Sequence, residues 1–271
     1  MSMMDRDWDS LILLDACRYD VFSKINVLTG TLTTYRSNAS ATGDFVRRNW
    51  LDQEFHDTVM VTGNPHAEML SDEFHHIEIA YGDHWNKDVG TVYPAPIEFL
   101  ALQARNDYPD KRLIVHFMQP HEPHIGETAE RIRERLNLRG WDKYHEVEGM
   151  SSDLDGMRIW DAVKSGFVDI NEVRQAYRDS LRIVMFHVDR LIKEFGGKTV
   201  VSADHGELLG EVYEGERQYG HPKHLDVPEL RRVPWFEAPH EARLTITEGE
   251  PGEFEGLGSV KDRLRDLGYL R

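Results

Sequence analysis

The 271-residue sequence contains a single cysteine, Cys17, and few lysines, with 9 Lys against 23 Arg. One cysteine excludes both an internal disulfide framework and a cysteine-rich zinc site. No apolar run approaches the roughly 20 residues of a membrane-spanning helix, so we expect no transmembrane segment. The acidic start, MSMMDRDWDS, lacks the positive and apolar regions of a signal peptide, and we therefore expect a cytoplasmic protein.

Positive charge is also scarce, because the formal net charge is −16. A chain this acidic is repelled by a phosphate backbone, so we expect no nucleic-acid partner. An acidic, lysine-poor surface is typical of a salt-adapted, for example haloarchaeal, organism, and it fits an ordinary acidic cytosolic protein equally well. The composition leaves the oligomeric state open.

Short apolar runs alternate with helical patterns along the chain. The runs are continuous, as in parallel strands that are covered on both faces. This alternation predicts an α/β fold with a mainly parallel central sheet flanked by helices. The predicted strands are residues 11–14, 58–62, 113–117 and 199–202, and the predicted helices are residues 44–50, 96–106, 127–138 and 171–195.

The helix predicted over residues 171–195 has the clearest boundaries. Asp169 and Glu172 have the spacing of a capping box, and Gly196 and Gly197 end the pattern. We expect residues 1–271 to form a single domain. Residues 140–168 do not fit the alternation, and we interpret them as an insertion that serves as a lid or an interface.

The segment VVSADHGELLGE places Asp204 and His205 at the end of a predicted buried strand. Burying these groups costs free energy unless something compensates them, and a metal ion would do so. Asp15 follows the first strand, and His121 follows the third. Because the carboxyl ends of parallel strands share one edge, we expect Asp15, Asp204 and His205 to bind a divalent ion, with His121 nearby. Zn, Mn, Mg and Ca all suit these ligands.

Small hydroxyl residues precede the short helix predicted over residues 44–50, in the segment RSNASATGD. A helix N-terminus is a usual place for an anion and for an alcohol nucleophile. A metal-bound hydroxyl loses its proton more easily and can then attack phosphorus or sulfur. A Ser or Thr at this position can equally be an ordinary helix cap.

Taken together, five segments resemble the alkaline phosphatase superfamily, and most closely its sulfatase-like branch. They occur in that family's order and extend from residue 11 almost to the end of the chain. The resemblance implies the same α/β fold. The five segments are LILLDACRYDVF, HFMQPHEPHIG, SADHGELLGE, YGHPKHLDVPELRRVPWF and RLRDLGYL.

The resemblance also implies a role for individual residues. Asp15, Asp204 and His205 would bind the metal. Thr42 falls where relatives have the nucleophile, and Ser40 is the alternative. Together these roles imply a metal-dependent hydrolase or transferase that acts on esters.

Three further residues would complete such a site. The resemblance implies that His121 stabilises the transferring group or protonates the leaving oxygen. His221, with Lys223 beside it, would complete the site. The implied substrate is an ester that is either a small molecule or linked to a glycan or lipid.

Two departures from the family pattern bear on the chemistry. The sequence has no Cys/Ser-x-Pro-x-Arg motif, which sulfatases convert into their nucleophile, so we expect phosphate-ester chemistry through Thr42. A sulfate-ester hydrolase without formylglycine is the alternative enzyme. Ala16 replaces the second Asp of the sulfatase Asp-Asp pair, which leaves open a non-catalytic interaction protein with this fold.

Overall fold

The computed structural model of the chain describes residues 2–136 and 158–250. Most strands in these ranges belong to one large sheet, and the other four form two small hairpins. The strands are β1 (Ser10–Leu14), β2 (Thr31–Arg36), β3 (Phe55–Thr62), β4 (Phe74–Ile79), β5 (Trp85–Asn86), β6 (Thr91–Val92), β7 (Arg112–Phe117), β8 (Thr199–Ser202), β9 (Leu208–Tyr213), β10 (Glu216–Gly220) and β11 (Arg232–Glu237).

The central sheet has seven described strands in the order β2-β11-β8-β1-β7-β3-β4. The five strands from β8 to β4 run parallel to their neighbours. Strand β11 is antiparallel to both β8 and β2. The predicted mainly parallel sheet is therefore confirmed, and its antiparallel part lies at one edge.

Helices flank this sheet. A 26-residue helix, α7 (Ile170–Phe195), packs against α4 (Pro94–Asp107), and α4 in turn packs against β3 and β7. A 3-10 helix (Pro65–Met69) follows β3. The α-helices are α1 (Tyr19–Ile25), α2 (Thr42–Asn49), α3 (Tyr81–His84), α4 (Pro94–Asp107), α5 (Glu127–Leu136), α6 (Ile159–Lys164), α7 (Ile170–Phe195) and α8 (Pro228–Arg231).

Helix α7 begins and ends where the sequence predicts. The Asp169 side chain accepts a hydrogen bond from the Asn171 N–H at 2.7 Å, and Glu172 completes the capping box. The helix ends at Gly196, whose φ of 63° lies in the left-handed region that glycine adopts without strain. Its buried face carries residues at helical spacing, including Val173, Tyr177 and Leu181.

The four predicted strands are confirmed within a few residues as β1, β3, β7 and β8. Their runs are buried because the sheet is covered on both faces. Patterning did not find the two edge strands β2 and β4. Their sequences, TLTTYR and FHHIEI, mix polar and apolar residues, and each pairs on one side only.

Two parts of the sequence-based interpretation fall wholly or partly outside the described residues. Of the proposed insertion, residues 140–157 lie outside, whereas residues 158–168 contain α6, whose Trp160 and Ala162 are buried. The segment RLRDLGYL also lies outside. Within the described ranges, no helix is both long and apolar enough to cross a bilayer. The cytoplasmic location stays a prediction.

Candidate metal centre and catalytic site

The ends of two neighbouring strands bring three predicted ligands together. Asp15 directly follows β1, and Asp204 and His205 follow the parallel strand β8 beside it. One ligand atom from each side chain lies within 4.8 Å of the other two. All three residues are at most 2% exposed. The convergence predicted from parallel strand ends is therefore present.

The Thr42 hydroxyl faces this group. Its Oγ1 lies 2.8 Å from Asp204 Oδ2, 3.2 Å from His205 Nε2 and 3.4 Å from Asp15 Oδ1. Thr42 is the first residue of α2, whose N-cap is Ala41 and has no side-chain capping bond. Thr42 is thus not the capping residue that the sequence left as an alternative, and its hydroxyl contacts the predicted metal ligands.

The hydrogen bonds of His205 fix the chemical character of the group. Its Nδ1 lies 2.8 Å from the carbonyl oxygen of Gly206, which can only accept, so Nδ1 carries the proton. In the neutral ring, the Nε2 lone pair then faces Asp15 Oδ1 at 3.6 Å and Asp204 Oδ2 at 3.5 Å. The Thr42 proton can serve only one of these acceptors. A cation among them would satisfy all three, so this donor set fits a divalent metal ion.

Burial and neighbouring charges shift the pKa values of Asp15 and Asp204 in opposite directions. Burial, together with the negative charges of Asp204 and Glu207, raises the pKa of Asp15 well above its usual range. Burial also opposes ionisation of Asp204, but two neighbouring imidazoles and the hydrogen bond from Thr42 outweigh it and lower the pKa of Asp204. Without a cation, Asp15 therefore binds a proton more readily than Asp204.

A second group of possible ligands adjoins the first. One ligand atom each of His121, Glu207 and His221 lies within 4.8 Å of the other two. The Nε2 atoms of His121 and His221 are 2.9 Å apart. The His221 ring centroid lies 4.7 Å from that of His205. The predicted residues His121 and His221 therefore meet beside the first group.

Glu207 is the most unusual member of the second group. It is fully buried, and neither carboxylate oxygen has a hydrogen-bond partner. Burial raises the pKa of Glu207 well above its usual range. Burial likewise lowers the pKa of His121 to about 3 and that of His221 well below its usual range. An orphaned carboxyl group beside two neutral imidazoles has the chemistry of a second cation site.

The sequence patterns predicted no role for Glu207 or Asn64. Asn64 Nδ2 donates to Asp15 Oδ2 at 2.7 Å, while its Oδ1 accepts from the His66 N–H at 2.9 Å. This amide therefore orients the Asp15 carboxyl group so that its Oδ1 faces Thr42. The sequence position of each residue could have indicated a place in the site, because Asn64 follows a predicted strand and Glu207 lies inside the Asp-His-Gly-Glu segment.

Lys223 lies at the periphery of the site. Its side chain is 67% exposed, and its Nζ is 3.8 Å from Asp44 Oδ1 on α2. His116, which precedes the His121 loop, is buried in β7 with its Nε2 4.0 Å from Asp204 Oδ2. Ser40, the alternative nucleophile, is buried two residues before α2.

Comparison with known proteins identifies similar folds at low sequence identity. No family model matches the sequence, and no curated protein matches it. The structure is similar to the Zn complex of the C-terminal periplasmic domain of EcEptC from Escherichia coli. That match has 12% identity and a TM-score of 0.52, and it covers 89% of this chain and 75% of that chain.

Two further structures are similar. The soluble domain of lipooligosaccharide phosphoethanolamine transferase A from Neisseria meningitidis has 14% identity and a TM-score of 0.50, over 84% of this chain and 75% of that chain. BT1596, a 2-O GAG sulfatase, has 13% identity and a TM-score of 0.56, over 89% of this chain and 65% of that chain. The chain thus has the α/β fold of sulfatase-like domains, with a mostly parallel sheet flanked by helices.

Proposed function

We propose that the protein is a metal-dependent enzyme that hydrolyses or transfers a phosphate ester through Thr42. The observation that carries this proposal is the position of the Thr42 hydroxyl, 2.8 Å from Asp204 Oδ2 and 3.2 Å from His205 Nε2 in a buried group of cation ligands. The similarity to a phosphoethanolamine transferase domain supports it. The proposed substrate is a small-molecule ester or one linked to a glycan or lipid.

The metal would be held by Asp15, Asp204 and His205, with the Thr42 oxygen beside them. Its identity among Zn, Mn, Mg and Ca is open. When bound, the ion would lower the pKa of the Thr42 hydroxyl and offset negative charge on the phosphoryl oxygens. Asn64 would keep Asp15 in its ligating orientation through the 2.7 Å hydrogen bond.

The chain's own groups account for the remaining steps. Thr42 Oγ1 attacks phosphorus, and its proton passes to Asp204 Oδ2, the acceptor at 2.8 Å. The bond from phosphorus to the ester oxygen breaks. That oxygen takes up the proton that Thr42 gave to Asp204, relayed through the neutral His121–His221 pair. Water or an acceptor alcohol then attacks the phosphorus of the phospho-threonine, and the bond from phosphorus to Thr42 Oγ1 breaks. The proton of the attacking group restores the Thr42 hydroxyl.

Two variants of neighbouring hydroxyl residues test the nucleophile. Thr42→Ala should lower turnover of a phosphate ester by at least about a hundredfold, because the attacking oxygen is lost. Ser40→Ala is the matched control and should keep most of the activity. If turnover falls in Ser40→Ala and persists in Thr42→Ala, the assignment of Thr42 is wrong.

Metal content and a substrate panel test the enzyme class. The purified protein should hold stoichiometric Zn, Mn, Mg or Ca, and Asp204→Ala should abolish the thermal stabilisation that added metal gives. Phosphate monoesters and diesters should be turned over in preference to matched sulfate esters. A preference for sulfate esters would favour the alternative hydrolase. A chain that binds no metal and turns over neither would instead support the non-catalytic interaction protein.

A further inference from the structure

The turn between Asp15 and α1 holds a strained residue. Ala16 has a φ of 58°, in the left-handed region where a Cβ atom is unfavourable. Its backbone N–H donates to Asp204 Oδ1 at 3.1 Å. Ala16 therefore links the two carboxyl groups of the proposed metal site, because it directly follows Asp15 and its N–H binds Asp204.

One buried hydroxyl closes this turn. Tyr177, on the long helix α7, donates from its OH to the Ala16 carbonyl oxygen at 2.7 Å. The Tyr177 hydroxyl oxygen also accepts a hydrogen bond from the Arg18 N–H at 3.0 Å. Tyr177 is fully buried. A single side chain from a neighbouring element thus satisfies backbone groups on both sides of Cys17.

We propose that Tyr177 is a positioning residue, which holds Ala16 in its left-handed conformation and so fixes the separation of Asp15 and Asp204. This inference rests on the proposed metal site. Without the hydroxyl, Ala16 would lose the hydrogen bond that opposes its backbone strain. The turn would then relax toward negative φ, and the Ala16 N–H would move away from Asp204.

A purely structural role predicts something different. The Tyr177 ring packs at 5.9 Å from that of His124, and the side chain belongs to a buried apolar cluster. Tyr177→Phe keeps this ring and removes only the hydroxyl. If Tyr177 served only the core, the loss would lower stability without a selective effect on metal binding.

The experiment compares metal affinities by calorimetric titration of Zn²⁺, Mn²⁺ and Mg²⁺ into the metal-free full chain. Tyr177→Phe should raise the Kd by about tenfold or more, the usual effect of removing a group that orients a metal ligand. Ser10→Ala is the matched control. It removes another buried hydroxyl, bonded to Arg105 at the opposite end of β1, and should leave the Kd unchanged.

A second substitution, Ala16→Gly, distinguishes the backbone strain at Ala16 from a general loss of stability. Glycine adopts positive φ without a steric penalty, so Ala16→Gly should make the turn independent of the hydroxyl. In that background, Tyr177→Phe should change the Kd by less than about threefold. An equal loss in both backgrounds, or no loss in either, would overturn the inference while leaving the metal site intact. A wild-type chain that binds none of the three ions would overturn the proposed function itself.

Discussion

At the scale of single residues, the site concentrates carboxyl groups away from water. Asp15, Asp204 and Glu207 are each at most 2% exposed, yet hydrogen bonds serve only the first two. Burying these carboxyl groups therefore costs electrostatic free energy, and a bound cation would lower that cost. The cost is concentrated where the Thr42 hydroxyl lies, as is typical of sites built for chemistry.

The raised pKa of Asp15 predicts that metal binding releases a proton. Because Asp15 retains its proton well above the usual range, a divalent ion must displace it, so the Kd should fall as the pH rises. In the metal-free chain, a rise in pH should lower the stability of the fold. A raised folded-state pKa stabilises the fold at low pH, and that stability is lost as the pH rises toward the folded-state pKa.

Calorimetry at pH 6 and pH 8, in buffers of different ionisation enthalpy, would measure this release. Asp15→Asn is the control, since it carries no titratable proton and should weaken binding without the pH dependence. A Kd that does not change with pH in the wild-type chain would contradict the prediction.

At the scale of the element, α7 links its own N-terminal cap to the site. The helix begins at the Asp169 cap and carries Tyr177 two turns later. Asp169→Ala should lower the free energy of unfolding by about 1 kcal/mol, because the Asn171 N–H loses its acceptor.

Urea unfolding would measure that loss. Asp169→Asn is the matched control, because Asn caps a helix about as well as Asp. If the Asn and Ala variants were destabilised equally, the cap would not be the cause.

At the scale of the whole molecule, hydrogen bonds hold the segment after β11 against the end of the sheet opposite the site. Asp9, which precedes β1 and is 1% exposed, accepts two hydrogen bonds at 2.8 Å from Arg243. Farther along, Lys111 Nζ donates to the Thr247 carbonyl oxygen at 2.8 Å. These contacts join residues distant in sequence and stabilise the sheet from its N-terminal end.

Asp9→Asn should lower the free energy of unfolding at pH 7 by about 2 kcal/mol, because a buried, charge-assisted pair is broken. Burial alone would raise the pKa of Asp9, but the hydrogen bonds from Arg243 and from the Lys198 N–H outweigh it and lower the pKa. A lowered pKa stabilises the fold above the ordinary Asp value. The difference between variant and wild type should therefore shrink as the pH falls below about 4.

Asp7→Asn provides the comparison for urea unfolding. Asp7 binds the same Arg243, but its side chain is 65% exposed, so its loss should cost less than about 1 kcal/mol. Equal effects of the two variants would show that burial of Asp9 does not matter.

Much of the fold could be predicted because the central strands can be recognised from their own apolar residues. Residues 11–14, and Val200 and Val201 of β8, are apolar on both faces, and the structure covers both faces. Strands β2 and β4 could not be predicted in the same way. A strand such as TLTTYR becomes part of a sheet only when a neighbour pairs with it, here β11, and that pairing is not local in the chain.

The sequence alone determined which ligand types stand at strand ends, because Asp15, Asp204 and His205 each follow a run that must be buried. Tertiary structure decided which of them meet. The order β8-β1-β7 places the ends of distant segments side by side, and loop conformation brings Asn64 to Asp15 and Glu207 to His121 and His221. The reason is physical: burial is encoded by local composition, whereas contact between side chains depends on sheet order and turn geometry, which no single segment specifies.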